Sequence, residues 1–333
     1  MPRITIGMPV YNGERFIVEA LDAILAQTYR DFELVISDNG STDTTEDICR
    51  RYAARDQRVR YFRESVNQGA SWNYNRVVEL ATGEYFKWAA HDDLITPDYL
   101  EKCVGVLDRD PGVVLCCTDD QDIDEEGAHV DARRHSHIPG SQRGSSESVP
   151  QRFRRLIRDD YDCEQVFGLY RLPVLRKTGL IKSYTDSDRT LLAEIALYGR
   201  LFEIPERLFL HRQHTGSSCK ANPITSGWHE RVSWFDPRLS GKALFSRWRQ
   251  LREYVVAIIR SPVSFTDKAG SLFWLILFQR GRIRQLFREI IVGLRLKLFP
   301  PRANVEARTS GTAALGKRSP DQDPRCVNTT RSL

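Results

Sequence analysis

No segment of this 333-residue chain approaches the ~18 to 20 consecutive apolar residues that a membrane-spanning helix needs. The longest candidate, Leu272-Phe273-Trp274-Leu275-Ile276-Leu277-Phe278, is far too short. The N-terminus runs directly into a strand pattern, Ile4-Thr5-Ile6-Gly7-Met8, without the basic flank and apolar core of a secretory leader. A cytoplasmic protein is therefore expected. No Cys-x-x-Cys pair occurs: the seven cysteines, at 49, 103, 116, 117, 163, 219 and 326, are scattered and odd in number. That argues against a zinc or dithiol motif and for reduced thiols. Neither a G-x-G-x-x-G fingerprint nor a G-x-x-x-x-G-K-[ST] loop follows the first strand, which argues against a dinucleotide site and a P-loop. A diphosphate ligand has to be neutralised by other means.

What is present describes a globular chain, 41% hydrophobic and 28% charged, with ample material for a buried core. Its net charge of +5 is unevenly placed, because residues 241–302 hold thirteen Lys or Arg against three acids. From residue 3 to about 118, short β-branched or apolar runs alternate with longer amphipathic ones, the pattern of βαβ units and a mostly parallel sheet. Strands are expected at 3–8, 32–38, 59–63, 84–90 and 113–118, with helices over 14–27, 43–55, 70–81 and 97–108 between them. Residues 124–149 read as a loop over one sheet edge. A helix near 149–159, a strand near 165–170 and a helix at 188–198 ending at Gly199 come next. Strands over 201–205 and 208–210 follow, then a helical basic region. The domains expected are 1–220, an α/β nucleotide-binding unit with helices on both faces; 221–300, basic and helical; and a disordered tail, 301–333.

The triplet His91-Asp92-Asp93 directly follows the run Tyr85-Phe86-Lys87-Trp88-Ala89-Ala90. Ligands of open α/β sheets sit at the carboxyl ends of strands. Two adjacent carboxylates there repel each other and lose hydration, which an oxygen-preferring divalent cation relieves. The alternative is a solvated turn that caps the next helix through Thr96 and Pro97. The first strand delivers Pro9-Val10-Tyr11-Asn12-Gly13 to the same edge, and the second delivers Asp38-Asn39-Gly40-Ser41-Thr42-Asp43. Asp38 can accept from a base imide or a ribose hydroxyl, and Tyr11 offers a flat face. Asn39-Gly40 is also an ordinary turn and Asp43 an ordinary helix-start acid.

In this order and spacing, PVYNG, DNGSTD, Asn67-Gln68-Gly69, Ala81-Thr82-Gly83-Glu84-Tyr85 and HDD resemble an inverting family 2 glycosyltransferase of the GT-A type over residues 3–215. The resemblance implies a GT-A-like α/β fold and a nucleotide-sugar pocket drawn from Pro9, Tyr11, Asn12, Asp38, Asn67, Gly69, Asn75 and Asp92. It also implies Mn²⁺ or Mg²⁺ held by Asp92 and Asp93, with Asp93 favoured as the direct ligand, although His91 and Ala90 depart from the family's Asp-x-Asp form. His214, in the stretch His211-Arg212-Gln213-His214, corresponds to the family's Arg-x-His and is a third candidate ligand. In Ser187-Asp188-Arg189, Asp188 falls on the family's catalytic base and Ser187 replaces its Glu. A first-turn helix acid is Asp188's structural alternative, and Asp186 is the reserve base. Tyr74 stands where the family often has Arg. The implied partners are a UDP-, GDP- or dTDP-sugar donor and a glycan or lipid-linked acceptor, in surface or exported polysaccharide assembly.

Beyond residue 240 two cationic amphipathic helices are expected, at 247–260 and about 280–299. Peripheral contact with an anionic membrane through 241–302, or packing on the core with a solvated basic face, fits that pattern. No nucleic-acid motif accompanies the charge, so no nucleic acid is expected as partner. Two competing functions remain on the sequence. A sugar-phosphate nucleotidyltransferase requires a Gly-rich, Arg- or Lys-bearing loop that Tyr11-Asn12-Gly13-Glu14 is not. A non-catalytic nucleotide-sugar or membrane scaffold fits poorly with the retention of Asp93 and Asp188.

Overall fold

The computed structural model describes residues 1–130, 147–158, 163–217, 233–239 and 245–298; of 292–298 it describes the backbone alone. The loop expected over 124–149 lies mostly outside these residues, and the tail 301–333 entirely so.

Eight strands form one sheet in the order β3-β2-β1-β4-β7-β6-β8-β5. β1 (Ile4–Val10) and β2 (Phe32–Asp38) are buried along their whole length. Buried polar residues within them are paired across the strands: Thr5 Oγ1 donates to Glu33 Oε1 at 2.6 Å. β1 pairs in parallel with β2, Ile4 opposite Phe32 and Val10 opposite Asp38, and with β4 (Tyr85–Trp88) on its other side. β3 (Val59–Arg63) extends this parallel half. β7 (Leu169–Arg171) then runs antiparallel to both β4 and β6 (Val113–Ile123). β8 (Arg200–Arg212) is parallel to β6 and antiparallel to the short β5 (Leu94–Ile95).

Helices cover both faces. The even residues of β1 pack with α1 (Ile17–Leu25), α2 (Thr45–Arg55) and α4 (Tyr99–Arg109) in one apolar cluster. On the other face lie α3 (Ala70–Glu79), α5 (Val149–Arg158) and α7 (Ser187–Tyr198), with the one-turn α6 (Leu172–Leu175). That cluster also takes in Tyr254, Ala257 and Ile258 of α8 (Ser246–Arg260) and Leu275 of α9 (Phe265–Leu298). The basic region thus packs one side against the helix that carries Asp188. Cys49, Cys103, Cys116 and Cys117 are buried free thiols.

Three elements differ from the sequence expectation. The strand placed at 165–170 is a 3-10 turn, Glu164–Phe167, before β7. The two strands expected over 201–210 are one: the β6 register jumps from Thr118 opposite Ile204 to Asp119 opposite Arg207. That bulge leaves Pro205 out of the ladder, so its missing N–H breaks nothing. The second cationic helix begins at Phe265 and not near 280, because the apolar run 272–278 continues it without a breaker.

Lys87 is 1% exposed in the middle of β4. Its Nζ donates to the Phe167 carbonyl, which also accepts from Tyr99 Oη at 3.2 Å, and it lies over the Tyr99 ring at 4.6 Å. Burial pulls its ammonium down to about 8 from an ordinary 10.5. Between those values the unfolded chain binds more protons than the folded one, so stability should rise with pH over this window, by up to about 3 kcal/mol. Denaturant unfolding of the wild type and Lys87→Met at both ends of the window checks this. An equal pH increment in the two proteins would refute it.

Candidate active site

The carboxyl ends of β1, β2, β4, β6 and β8 converge on one edge. The loops after β1 and β2 are clasped together. Asn12, at φ +52, accepts from Thr42 N–H through Oδ1 at 2.8 Å, its own N–H donates to Ser41 Oγ at 2.9 Å, and Gly13 N–H donates to Thr45 Oγ1 at 2.9 Å. A Cβ on Gly13 would meet the His91 ring at 2.7 Å, so only glycine lets this loop lie against the acidic triplet. Asn39 holds the next loop: its Nδ2 donates to Asn67 Oδ1 at 2.9 Å and its Oδ1 accepts from Gln68 N–H at 2.9 Å. Gly69 follows at φ +92, and a Cβ there would stand 2.4 Å from the Phe235 carbonyl.

Asp38 is fully buried at the end of β2. Its Oδ1 accepts from Ser41 N–H at 2.8 Å, its Oδ2 accepts from Tyr61 Oη at 2.7 Å, and Arg63 Nε lies 3.5 Å away. The polar group reaching solvent beside it is Arg63, 29% exposed. Tyr11 is 43% exposed at the lip, while Pro9 is buried opposite Ser37. Both ends of the Asn75 amide engage the Ile181 backbone, at 2.9 and 3.1 Å.

Asp92 and Asp93 follow β4. Asp92 Oδ2 lies 2.9 Å from His214 Nε2, and Asp93 Oδ1 accepts from Arg212 N–H at 2.9 Å. A short strand, β5, separates the pair from α4, and neither carboxylate caps that helix. The capping-turn alternative therefore fails. Burial opposes the charge on Asp92, but the His91 and His214 imidazoles more than offset it and hold that carboxyl below its usual range. Asp93 is pushed up by burial, with Asp92 and Glu164 adding to the shift. Of the two, only Asp93 is thus disfavoured in its charged form, and the His211 charge only partly opposes that.

Asp188 stands in the first turn of α7, its Oδ1 accepting from Arg189 N–H at 2.7 Å. Burial, then the adjacent Asp186 charge, push its carboxyl up to about 6. Asp186 itself sits in the left-handed region at φ +66, a conformation that costs a non-glycine residue energy and that concentrates at functional sites. One residue ties the halves together: the Tyr74 hydroxyl, raised by burial, also feels the charges of Asp92, Asp93, Asp188 and Glu164. The acidic pair and the expected base therefore lie within electrostatic reach of one hydroxyl. Among the described residues no three His, Cys, Asp or Glu side chains form a ready metal site. Asp92, Asp93 and His214 are neighbours, but they are not a complete ligand set, and His214 Nε2 is engaged by Asp92.

The sequence profile of Glycosyl transferase family 2 matches residues 5–179, through β1, β2 and the acidic triplet. The chain belongs to that family. Chondroitin synthase of Escherichia coli is 27% identical over 233 residues, which is 70% of this chain and 32% of that protein. The glycosyltransferase GlyG of Streptococcus pneumoniae is 24% identical over 245 residues, 71% of this chain and 79% of its own length. An uncharacterized glycosyltransferase of Rickettsia typhi is 36% identical over 118 residues, and there this family 2 chain spans 36% of the relative. It thus spans about a third of the first and last of these. S. aureus TarS in complex with UDP-GlcNAc superposes over 83% of this chain and 72% of its own, with TM-score 0.60 at 16% identity, so the GT-A-like fold is shared.

The family profile stops at 179, short of both Asp188 and His214. The most consequential residue the sequence reading left without a role is Arg212, 1% exposed at the end of β8. Its Nε donates to the Asp92 carbonyl at 2.9 Å, and Nη1 donates to the Glu125 carbonyl at 2.8 Å and the Asp124 carbonyl at 3.2 Å. Nη2 meets Glu19 at 2.7 Å, and the guanidinium lies 4.8 Å from the Phe16 ring centroid, against whose face His214 also packs edge-on. Glu164 and His211, 3.6 Å apart beside the acidic pair, were missed as well. Their only signal was position: His211 directly follows the strand expected over 208–210, and Glu164 directly precedes the one expected near 165–170.

Proposed function

We propose that this chain transfers a sugar from a nucleotide-sugar donor to a hydroxyl acceptor with inversion at the anomeric carbon. The observation that supports the reading is that Asp92 and Asp93, after β4, and Asp188, in the first turn of α7, all lie within electrostatic reach of the buried Tyr74 hydroxyl. Asp188 removes the acceptor hydroxyl proton as that oxygen bonds to the anomeric carbon and the nucleoside diphosphate departs from the opposite face. A carboxyl near 6 is ionised at neutral pH and still basic enough to take a proton. Two adjacent carboxylates, with Asp93 disfavoured in its charged form by burial, suit an oxygen-preferring cation such as Mn²⁺ or Mg²⁺. When bound, the cation stabilises the charge developing on the leaving phosphate. Asp92, itself fixed by His214, and Asp93, fixed by Arg212 N–H, are the residues that would hold it.

The donor base is assigned to the clasped loops between β1 and β2, with Tyr11 and Arg63 at the mouth and Asp38 beneath them. That S. aureus TarS is known with UDP and with UDP-GlcNAc favours a uridine donor. The acceptor is proposed to be a glycan, either lipid-linked or part of a surface polysaccharide, reached from a peripheral position at an anionic membrane. A thermal-shift and donor-hydrolysis screen of UDP-, GDP- and dTDP-sugars, with Mn²⁺ and then with EDTA, tests the reading. Stabilisation and turnover by one nucleotide class, lost on chelation, are expected. No response to any donor with metal present would sink the catalytic assignment.

A further inference from the structure

The long helix α9 is apolar on two sides. One side is accounted for: Leu275 and Leu286 are each 2% exposed, and the helix packs there on α5 and α8. The other side faces solvent. Phe265, Phe273, Ile276, Ile283, Phe287 and Ile291 are each between 47% and 85% exposed. At 100° per residue these six fall within about 80° of one another on the helix, a straight stripe ~39 Å long. A helix that packs by one face normally turns a polar face outward, so a second apolar stripe points to a second partner.

Charge selects that partner. Arg280 is exposed on the same stripe, and Arg284 and Arg288 are exposed along its border. The two acids of α9 lie off it: Asp267 is engaged by Ser264, and Glu289 accepts from Arg247 N–H at 3.1 Å. A second copy laid along this face would set Arg against Arg with no acid between them. The chain's own last 33 residues, with six Lys or Arg against three acids, carry the same sign. An anionic lipid surface answers both features, taking the aromatic and branched side chains between its headgroups and the guanidiniums against its phosphates.

We infer that the outward face of α9 is the surface by which this protein lies on an anionic bilayer. The inference deepens the peripheral membrane contact proposed above and rests on it. The placement suits the chemistry: α9 packs on α8, α8 on α7, and Gln250 of α8 lies 3.4 Å from the Asp186 carbonyl beside the base. A lipid-borne acceptor would be delivered on the side of the molecule that holds Asp188.

Flotation of the full chain with phosphatidylglycerol and with phosphatidylcholine vesicles, at low and high salt, tests it. The wild type should float with the anionic vesicles only. Phe273→Ser/Phe287→Ser should weaken that binding by roughly tenfold or more at any salt, through lost insertion. Arg280→Gln/Arg284→Gln/Arg288→Gln should weaken it by a similar factor, chiefly at low salt. Donor hydrolysis without vesicles stays at the wild-type rate in both variants, so a failure of the catalytic reading appears in that assay and not in flotation. Wild-type-like flotation of both variants overturns the proposal. A wild-type dimer that the Phe substitutions split overturns it in favour of a second copy. A monomeric wild type that floats with neither vesicle overturns it in favour of a cover from the chain itself.

Discussion

Asp188→Asn should lower the rate of sugar transfer by roughly 10²–10⁴-fold, the usual contribution of a positioned general base, while donor affinity stays within a few-fold. Asparagine preserves shape and can still accept from Arg189 N–H, as Asp188 Oδ1 does at 2.7 Å, so the N-terminal turn of α7 keeps its local geometry. What it loses is the ability to take a proton. The pH profile separates this role from a structural one. The carboxyl is raised to about 6 by burial and by Asp186, and the ionised form is the active one. Wild-type activity should therefore fall as pH drops through about 6 and level off above it, and the residual activity of Asp188→Asn should lack that limb. Asp186→Asn removes the neighbouring charge that raises the base, so the limb should move to lower pH with little loss at the plateau. An unchanged turnover in Asp188→Asn would take the residue out of the mechanism. A limb that stayed in place in Asp186→Asn would show that burial alone sets the value.

Much of this was legible in the sequence because its signals are local. β1 and β2 are short segments rich in branched apolar residues, followed by Asn12-Gly13 and Asn39-Gly40, so both the strands and the turns after them could be placed to within a residue or two. The acidic pair was legible for the same reason, since a carboxylate doublet at a strand end has a position as well as a chemistry. What was not legible depends on partners distant in sequence. Pro205 reads as a strand breaker until the bulge in β8 removes the need for its N–H. That Tyr61, 23 residues away, donates to Asp38 is equally invisible in the sequence. Lys87 sits in an apolar run and gives no hint that its ammonium is used on the Phe167 carbonyl. The stripe on α9 is visible as residues but not as a surface, because only packing tells which of two apolar sides is covered.

Arg212 is the strongest instance, and it carries the other large expected effect. Its guanidinium is closed off from solvent and reaches three backbone carbonyls, of Asp92, Asp124 and Glu125, together with the Glu19 carboxylate. Arg212→Met fills similar volume but leaves those buried carbonyls without donors, at a cost of roughly 3–5 kcal/mol. For a chain of this size that corresponds to a fall in Tm of about 4–7 °C. Arg212→Lys should recover less than half of this, since one ammonium cannot span acceptors arranged around a planar fork. The consequence for function follows from the backbone. Arg212 N–H is the donor to Asp93 Oδ1, and Arg212 Nε grips the Asp92 carbonyl, so one residue fixes both members of the acidic pair. With that grip gone, donor affinity in the presence of Mn²⁺ should weaken even at temperatures where Arg212→Met remains folded. Affinity for the free nucleoside, proposed to bind at the loops after β1 and β2, should change little. Differential scanning and nucleotide titration of the two variants measure the two effects separately. A Tm within a degree or two of wild type would mean that water replaces the guanidinium, and an equal loss for nucleoside and for nucleotide sugar would mean that Arg212 supports the fold without organising the acidic pair.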